Sequence, residues 1–398
     1  PAPIVAFARA VAAGQPAPAL SPGTPFGYDY AVPRAGLDRC RQRFVSTGRG
    51  RVAFLGGSIT QASGWRELVQ GELRARFAGT DFAFIDAGVA SLGSTPHAFR
   101  YGRDVIDGGP VDLLFVEAAV NDAVNGMSDL EQLRGMEGVV RQARLADPAI
   151  DIVILHFADP DKLHDIRAGR RPAVIANHER VAEHYSVSSI DLAQEVAERI
   201  AAEEFTWEAD FRDLHPEPFG HRLYAASVAR LFAVAWADPP VPGEAPVVPR
   251  LPEPLDPASY FRGRLLSPDQ AGELIDWRLD PNWGPNDGAP TRPGFVEVPA
   301  LVAERPGATL TLRFTGRAIG LFVTSGPDAG AVEFAIDGVP QGVRDLFTPW
   351  SAQLHLPWAV MLTADLEDGA HLLTLRVAPS ANPDSRGHAV RIVHFLVN

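Results

Sequence analysis

Four short segments hold the residue types that nucleophilic hydrolysis needs, and each lies at the end of an apolar run or just before a helix pattern. In Arg51-Val-Ala-Phe-Leu-Gly-Gly-Ser58-Ile-Thr60 a serine follows a buried-strand pattern and two glycines, which permit a tight turn and close substrate approach. A helix pattern begins near Trp65, so backbone N–H groups around Ser58 can face developing negative charge. A serine that only caps this helix is the competing reading of the motif alone. The pattern is not a G-x-S-x-G elbow, because Thr60 stands where the second glycine belongs.

The other three segments supply partners. Asp86-Ala-Gly-Val-Ala-Ser91-Leu-Gly93-Ser94 runs from a strand into a small-residue loop that can offer a backbone N–H. Leu113-Leu-Phe-Val-Glu117-Ala-Ala-Val-Asn121-Asp122 delivers an amide side chain to the same sheet edge, where its NH2 suits an oxyanion, although an Asn-Asp pair also makes ordinary turns. Phe211-Arg212-Asp213-Leu-His215-Pro-Glu-Pro precedes a last helix, and a neutral imidazole there can take the Ser58 proton and return it to a leaving alkoxide. Each segment has a structural explanation by itself; the four together favour chemistry.

In residues and order they resemble the SGNH hydrolase family, whose blocks carry Ser, Gly, Asn and His along a flavodoxin-like sheet. The resemblance spans roughly Arg51 to Trp236: Gly57-Ser58 matches the first block, Asn121 the third and His215 the last. It implies a Ser58 nucleophile with His215 as base, and an oxyanion hole of Ser58 and Ser91 N–H groups with Asn121. Two departures stand out. The second-block glycine position is occupied by Ser91, with Gly93 two residues on as the reserve donor. The last block is Asp-x-x-His in the family, but Arg212 lies three before His215 and Asp213 two before. Asp213 is assigned as the orienting acid; a backbone carbonyl and a Ser-His dyad is the alternative.

These residues need an α/β frame. Apolar runs at Val52–Leu55, Phe82–Asp86, Leu113–Glu117, Ile152–His156 and Val187–Asp191 predict strands of a buried parallel sheet. Trp65–Phe77, His97–Ile106, Asp129–Leu145, Ala173–His184, Leu192–Glu203 and Glu217–Trp236 predict helices on its faces. Eight prolines between Asp238 and Pro257 predict an extended connector. Beyond it, Ala308–Phe314, Ala318–Thr324, Ala331–Ile336 and Leu372–Val377, with Asp337-Gly338 and Asp368-Gly369 turns, predict a β-sandwich. The expected organisation is an N-terminal segment (1–45) that packs on the sandwich, a three-layer α/β/α hydrolase domain (46–238), a linker (239–257) and a jelly-roll-like β-sandwich (258–398). Phe26–Val32 is a candidate extra strand.

Composition narrows the function. A formal charge of −13 argues against a phosphate-binding surface, and no apolar run is long enough to cross a bilayer. Cys40 is the single cysteine, which excludes an internal disulfide and a Cys-based zinc site. His178-Glu179 and His184 lie six apart, on different helical faces, so they are not a zinc-protease motif, and no nucleotide-binding glycine motif is present. No cofactor or metal is expected. The start at Pro1 fits a removed signal peptide or a trimmed N-terminus, and a periplasmic or secreted location is preferred.

The expected reaction is hydrolysis of an O-acyl, above all O-acetyl, ester on a carbohydrate, because SGNH enzymes with an appended sandwich resemble carbohydrate esterases and no long apolar lid is present. The expected partner is an acylated carbohydrate. Glu117, Asp122, Trp350, His355 and Trp358 are candidate substrate contacts, with the Trp350–Trp358 segment read either as core or as a wall of the Ser58 cleft. Trp277 and Trp283 pose the same choice. Alternatives are a glycoside hydrolase using carboxylates among Glu117, Asp122 and Asp213, and a non-catalytic carbohydrate-binding protein.

Overall fold

All five expected core strands form in the computed structural model, which describes residues 30–239 and 246–398. They are β2 (Arg49–Gly56), β3 (Asp81–Gly88), β4 (Leu113–Glu117), β5 (Asp151–Leu155) and β6 (Ser188–Ile190), preceded in the chain by β1 (Ala31–Val32). The sheet order is β1-β6-β5-β4-β2-β3, parallel throughout except for β1, which pairs antiparallel with β6. The chain therefore reverses its winding at β2, between β3 and β4, and that switch point is where open α/β sheets leave a crevice beyond the strand ends.

Alternate residues of each strand face opposite layers. Phe54, Phe115 and Val153 pack with helices α1 (Asp38–Thr47), α3 (Trp65–Arg76), α9 (Leu192–Ala201) and α10 (Pro218–Ala235). Leu55, Val116 and Ile154 pack with α4 (Ser94–Tyr101), α6 (Asp129–Ala146) and α8 (Ala173–His184). The short helices α2 (Ser58–Gln61), α5 (Ala119–Val124) and α7 (Pro160–Arg167) complete the layer set. The expected helix His97–Ile106 is α4 continued by a π turn, Gly102–Ile106. Helix α7 carries its own signature, Asp159 as N-cap accepting from Lys162 N at 2.9 Å and Pro160 in the first turn.

The N-terminal expectation is corrected where the chain is described. Residues 30–47 join the α/β layers instead of the sandwich: β1 extends the sheet, and Leu37, Cys40 and Phe44 are buried in its core. Phe26 to Asp29 of the candidate strand lie outside the described residues. The described part of the connector, residues 246–257, is tied down: Arg39 donates to Val247 O and Arg141 to Pro252 O at 2.6 Å.

The C-terminal part contains two antiparallel sheets. One has the order β15-β12-β17-β10-β9, from β9 (Arg278–Trp283), β10 (Val298–Ala303), β12 (Ile319–Ser325), β15 (Leu356–Thr363) and β17 (Val390–Val397), with β7 (Arg264–Leu266) paired to β17. The other is β14-β13-β16-β11-β8, from β8 (Leu274–Ile275), β11 (Thr309–Gly316), β13 (Ala331–Ile336), β14 (Val339–Asp345) and β16 (Gly369–Val377). Strands 10 to 17 thread these sheets in jelly-roll order. Asp337 and Gly338 both take positive φ, 51° and 80°, as a two-residue hairpin turn requires. Trp277 and Trp283 are buried, so both belong to the core, and Arg391 stacks over Trp283 at 4.8 Å.

The outer face of the first sheet continues the α/β core. Trp283, Val302, Phe322 and Val393 share a cluster with Phe99 and Val139. Close approach depends on Gly138 of α6, where a Cβ would sit 2.8 Å from the Tyr260 carbonyl carbon. Arg134 adds ion pairs to Asp256 and Asp365 at 3.1 and 2.7 Å. Gly71 of α3, in contrast, faces open space. Gly71→Ala should stabilise the protein by up to about 1 kcal/mol through helix propensity. Gly138→Ala should destabilise it by about 1–2 kcal/mol, because overpacking outweighs the same propensity gain. Urea unfolding of the two variants checks the opposite signs.

Candidate active site

The site grows from the ends of β2, β3 and β4. After β2, Gly57 is extended and Ser58 opens α2, which holds the side chain at the switch point. Gly57 is required by contact: a Cβ there would lie 2.1 Å from Asn121 Oδ1. Beyond β3, Ser91 has φ 70°, the left-handed conformation for which glycine is favoured, so the residue in the family's glycine position keeps a glycine-like backbone. Its carbonyl accepts from Asn125 Nδ2 at 2.9 Å. Beyond β4, α5 carries Asn121 toward Gly57.

His215 closes the site from the loop before α10. Its Nε2 lies 2.7 Å from Ser58 Oγ, and its Nδ1 lies 3.3 Å from Asp213 Oδ1. With the ring proton on Nδ1, Nε2 is the acceptor for the Ser58 hydroxyl. The same Asp213 oxygen accepts the His215 backbone N–H at 2.7 Å. Arg212, with φ 67°, makes the turn that brings an acid two residues before the histidine into reach of its ring. Of the two arrangements left open by the sequence, the ring therefore has a carboxylate partner. That carboxylate is 55% exposed and the imidazole 48%, so water screens the pair.

Ser58, Ser91, Asn121 and His215 line one open cleft of about 780 Å³. Its far wall comes from the sandwich: Arg292, Trp350, Leu354 and Leu356. Of the aromatic segment, Trp350 borders the cleft and is 39% exposed, whereas Trp358 lies beside a smaller neighbouring cavity with Ser91 and Gly93.

Three expected substrate contacts are corrected. Glu117 is buried, accepts the Val120 N–H at 3.0 Å, and burial pushes its carboxyl up to about 7. Asp122 is fully buried and engaged twice, by Ser94 N at 2.8 Å and His178 Nε2 at 3.0 Å. Burial holds the His178 imidazole below its ordinary range. A Cβ on Gly93 would strike Asp122 Oδ1, so Gly93 serves this packing. His355 is buried and bonds Asp287 Oδ2 at 3.0 Å, with its backbone N–H donating to Pro290 O and its carbonyl accepting from Arg292 N. It ties together the two loops that form the far wall.

Sequence reasoning also missed a layer beneath the site. Arg100 of α4, 1% exposed, donates to Gly56 O at 3.2 Å and to Ala87 O at 2.6 Å. His97 Nε2 bonds Glu117 O at 3.1 Å, and burial together with Arg100 keeps this imidazole neutral. One helix thus grips the ends of β2, β3 and β4. Its i, i+3 spacing of His97 and Arg100 was visible in the sequence, but the orientation of that face was not.

Residues 54–223 match the profile of the GDSL-like lipase/acylhydrolase family. The fold is an SGNH-type α/β sheet followed by a β-rich C-terminal region. A crystallised two-domain esterase (CEX) active on acetylated mannans, solved with mannopentaose, has a similar fold, with TM-score 0.73, 18% identity, and coverage of 93% of this chain and 97% of that one. The same esterase solved separately gives TM-score 0.73, 18% identity, and coverage of 93% and 98%. A catalytic mutant of an acetylxylan esterase from Geobacillus stearothermophilus overlaps over 46% of this chain and 93% of its own, with TM-score 0.38 and 17% identity. No curated protein sequence matches the chain.

The geometry of this GDSL-like site sets a ranking. Ser58→Ala and His215→Ala should each lower kcat for a small ester by about 10⁴-fold or more. Asp213→Ala should cost only on the order of tenfold, since a solvated pair contributes little. Steady-state kinetics on the three purified variants test the order. Ser91→Gly should stabilise the fold by about 1 kcal/mol by relieving the left-handed serine, with ester cleavage retained because the donor expected there is backbone N–H. Thermal unfolding and the same assay check both outcomes.

Proposed function

We propose that the protein is a carbohydrate O-acetylesterase working through an acyl-enzyme. The observation that carries this reading is Ser58 Oγ at 2.7 Å from His215 Nε2, at the head of a cleft whose opposite wall is Trp350 and its neighbours. His215 takes the Ser58 proton as Oγ attacks the acetyl carbonyl. The oxyanion faces the backbone N–H groups of Ser58 and Ser91 and the Asn121 amide. Collapse expels the sugar alkoxide, which receives the proton from His215, and water then releases acetate by the same steps.

Two features support a sugar ester over a long-chain ester. The cleft is open and lies between two structural units, and an exposed tryptophan offers a face for a sugar ring. The similarity in fold to an esterase active on acetylated mannans supports the same direction. The glycoside-hydrolase alternative needs two carboxyl groups flanking a bond. Glu117 and Asp122 are buried and occupied, which leaves it without a pair.

Incubation with acetylated mannan and acetylated xylan should release acetate without new reducing ends, and Ser58→Ala should release none. Cleavage confined to long-chain esters would overturn the carbohydrate reading. Reducing sugar without acetate would restore the glycosidase. A fluorophosphonate should label the native protein and not Ser58→Ala; absence of both labelling and hydrolysis would leave a binding protein.

A further inference from the structure

The cleft is electrostatically one-sided. The protein carries a formal charge of −13, yet among the described residues no Asp or Glu lines the Ser58 cleft. Among the described residues, the single Arg, Lys, Asp or Glu that lines it is Arg292. Its guanidinium makes no ion pair or side-chain hydrogen bond among the described residues. Asp287, the carboxylate of the same loop, is committed to His355 Nε2 and to Ala289 N at 3.0 Å. The backbone at Arg292 is fixed, since its N–H donates to His355 O at 2.9 Å and His355 N donates to Pro290 O at 2.8 Å. The loop therefore presents a free cation, on a pinned backbone, across the cleft from the nucleophile candidate.

We infer that Arg292 selects acylated saccharides that carry a carboxylate, a uronate residue near the acetylated sugar. The inference rests on the esterase reading of the site. A guanidinium fork matches a carboxylate bidentately, and an unpaired arginine in a cleft without carboxylates has no internal competitor for it. Trp350 in the same wall supplies an apolar face for the ring, so one wall can hold both halves of a uronate. In a protein this acidic, an anionic polymer is repelled overall, and a local cation at the site is what would orient it.

The test compares acetylated galacturonan, its methyl-esterified form and acetylated mannan, with acetate as readout. The methyl ester keeps ring and acetyl group while removing the negative charge. The native protein should show kcat/KM about tenfold higher on the free-carboxylate polymer than on its methyl ester, mainly through KM. The ratio should shrink between about 0.02 M and 0.5 M salt, because screening weakens an exposed contact. Arg292→Gln should bring the ratio to about one, and Arg292→Lys should keep part of it. Thermal unfolding of both variants confirms that they are folded. Equal rates on the two galacturonan forms, a ratio that survives Arg292→Gln, or cleavage of mannan alone would overturn the inference while leaving the esterase intact. Acetate from none of the three would instead defeat the esterase reading.

Discussion

The arrangement at the sheet edge depends on one buried cation. Arg100 lies in the interior at 1% exposure, and its charge is tolerable there because Asp104 pairs with it at 2.8 Å and two strand-end carbonyls accept its protons. Those carbonyls belong to Gly56, just before the Ser58 turn, and to Ala87, one residue after Asp86 at the end of β3. His97, one turn earlier, takes the third strand end through Glu117 O. Ser94, at the head of the helix, is held by the residue that follows Asn121. The three strand ends that carry Ser58, Ser91 and Asn121 are thus tied to α4, and none can shift without breaking a bond inside the buried interior, where an unmade bond is costly.

The same helix links the site to the sandwich. Phe99, on the turn between His97 and Arg100, packs against Tyr260 with centroids 5.0 Å apart, and α6 lets Tyr260 approach through Gly138. The jelly roll is therefore seated on the helix that positions the strand ends, and its residues Arg292 and Trp350 line the cleft that holds Ser58. His355 then does for the far wall what Arg100 does for the near one: a buried side chain ties two exposed loops together.

This division explains what could be read in the sequence. Strands buried on both faces are continuous apolar runs, so β4 appears with its true limits, and α8 does as well because its apolar spacing is uninterrupted. Ser58, Asn121 and His215 were recognisable since each follows or precedes such an element. Glu117 and Asp122 misled because a carboxylate near a strand end is equally suited to bonding backbone N–H groups indoors, and only burial separates the uses. Strand β14 escaped notice because it is an exposed edge with Pro340 and Gly342, which lack a core-facing pattern. Arg292 had no local signal at all: its position opposite Ser58 is a product of the fold across some 230 residues of chain.

The displaced acid of the last block has a physical consequence of its own. With Asp213 two residues before His215, one carboxylate oxygen serves both the backbone N–H and, at longer range, the ring. The shorter bond is to the backbone, so the acid chiefly shapes the turn that aims the imidazole and only secondarily stabilises an imidazolium. Exposure weakens the second role further, because water can solvate any charge on His215. A base so arranged relies for its orientation on the strained turn at Arg212 and on the packing of buried His221, whose Nδ1 accepts the Trp65 N–H at the start of α3. Burial keeps that second imidazole neutral and therefore able to accept. The loop that carries His215 is thereby fastened to the helix that follows Ser58, and the pair can hold its 2.7 Å separation without a buried acid behind it.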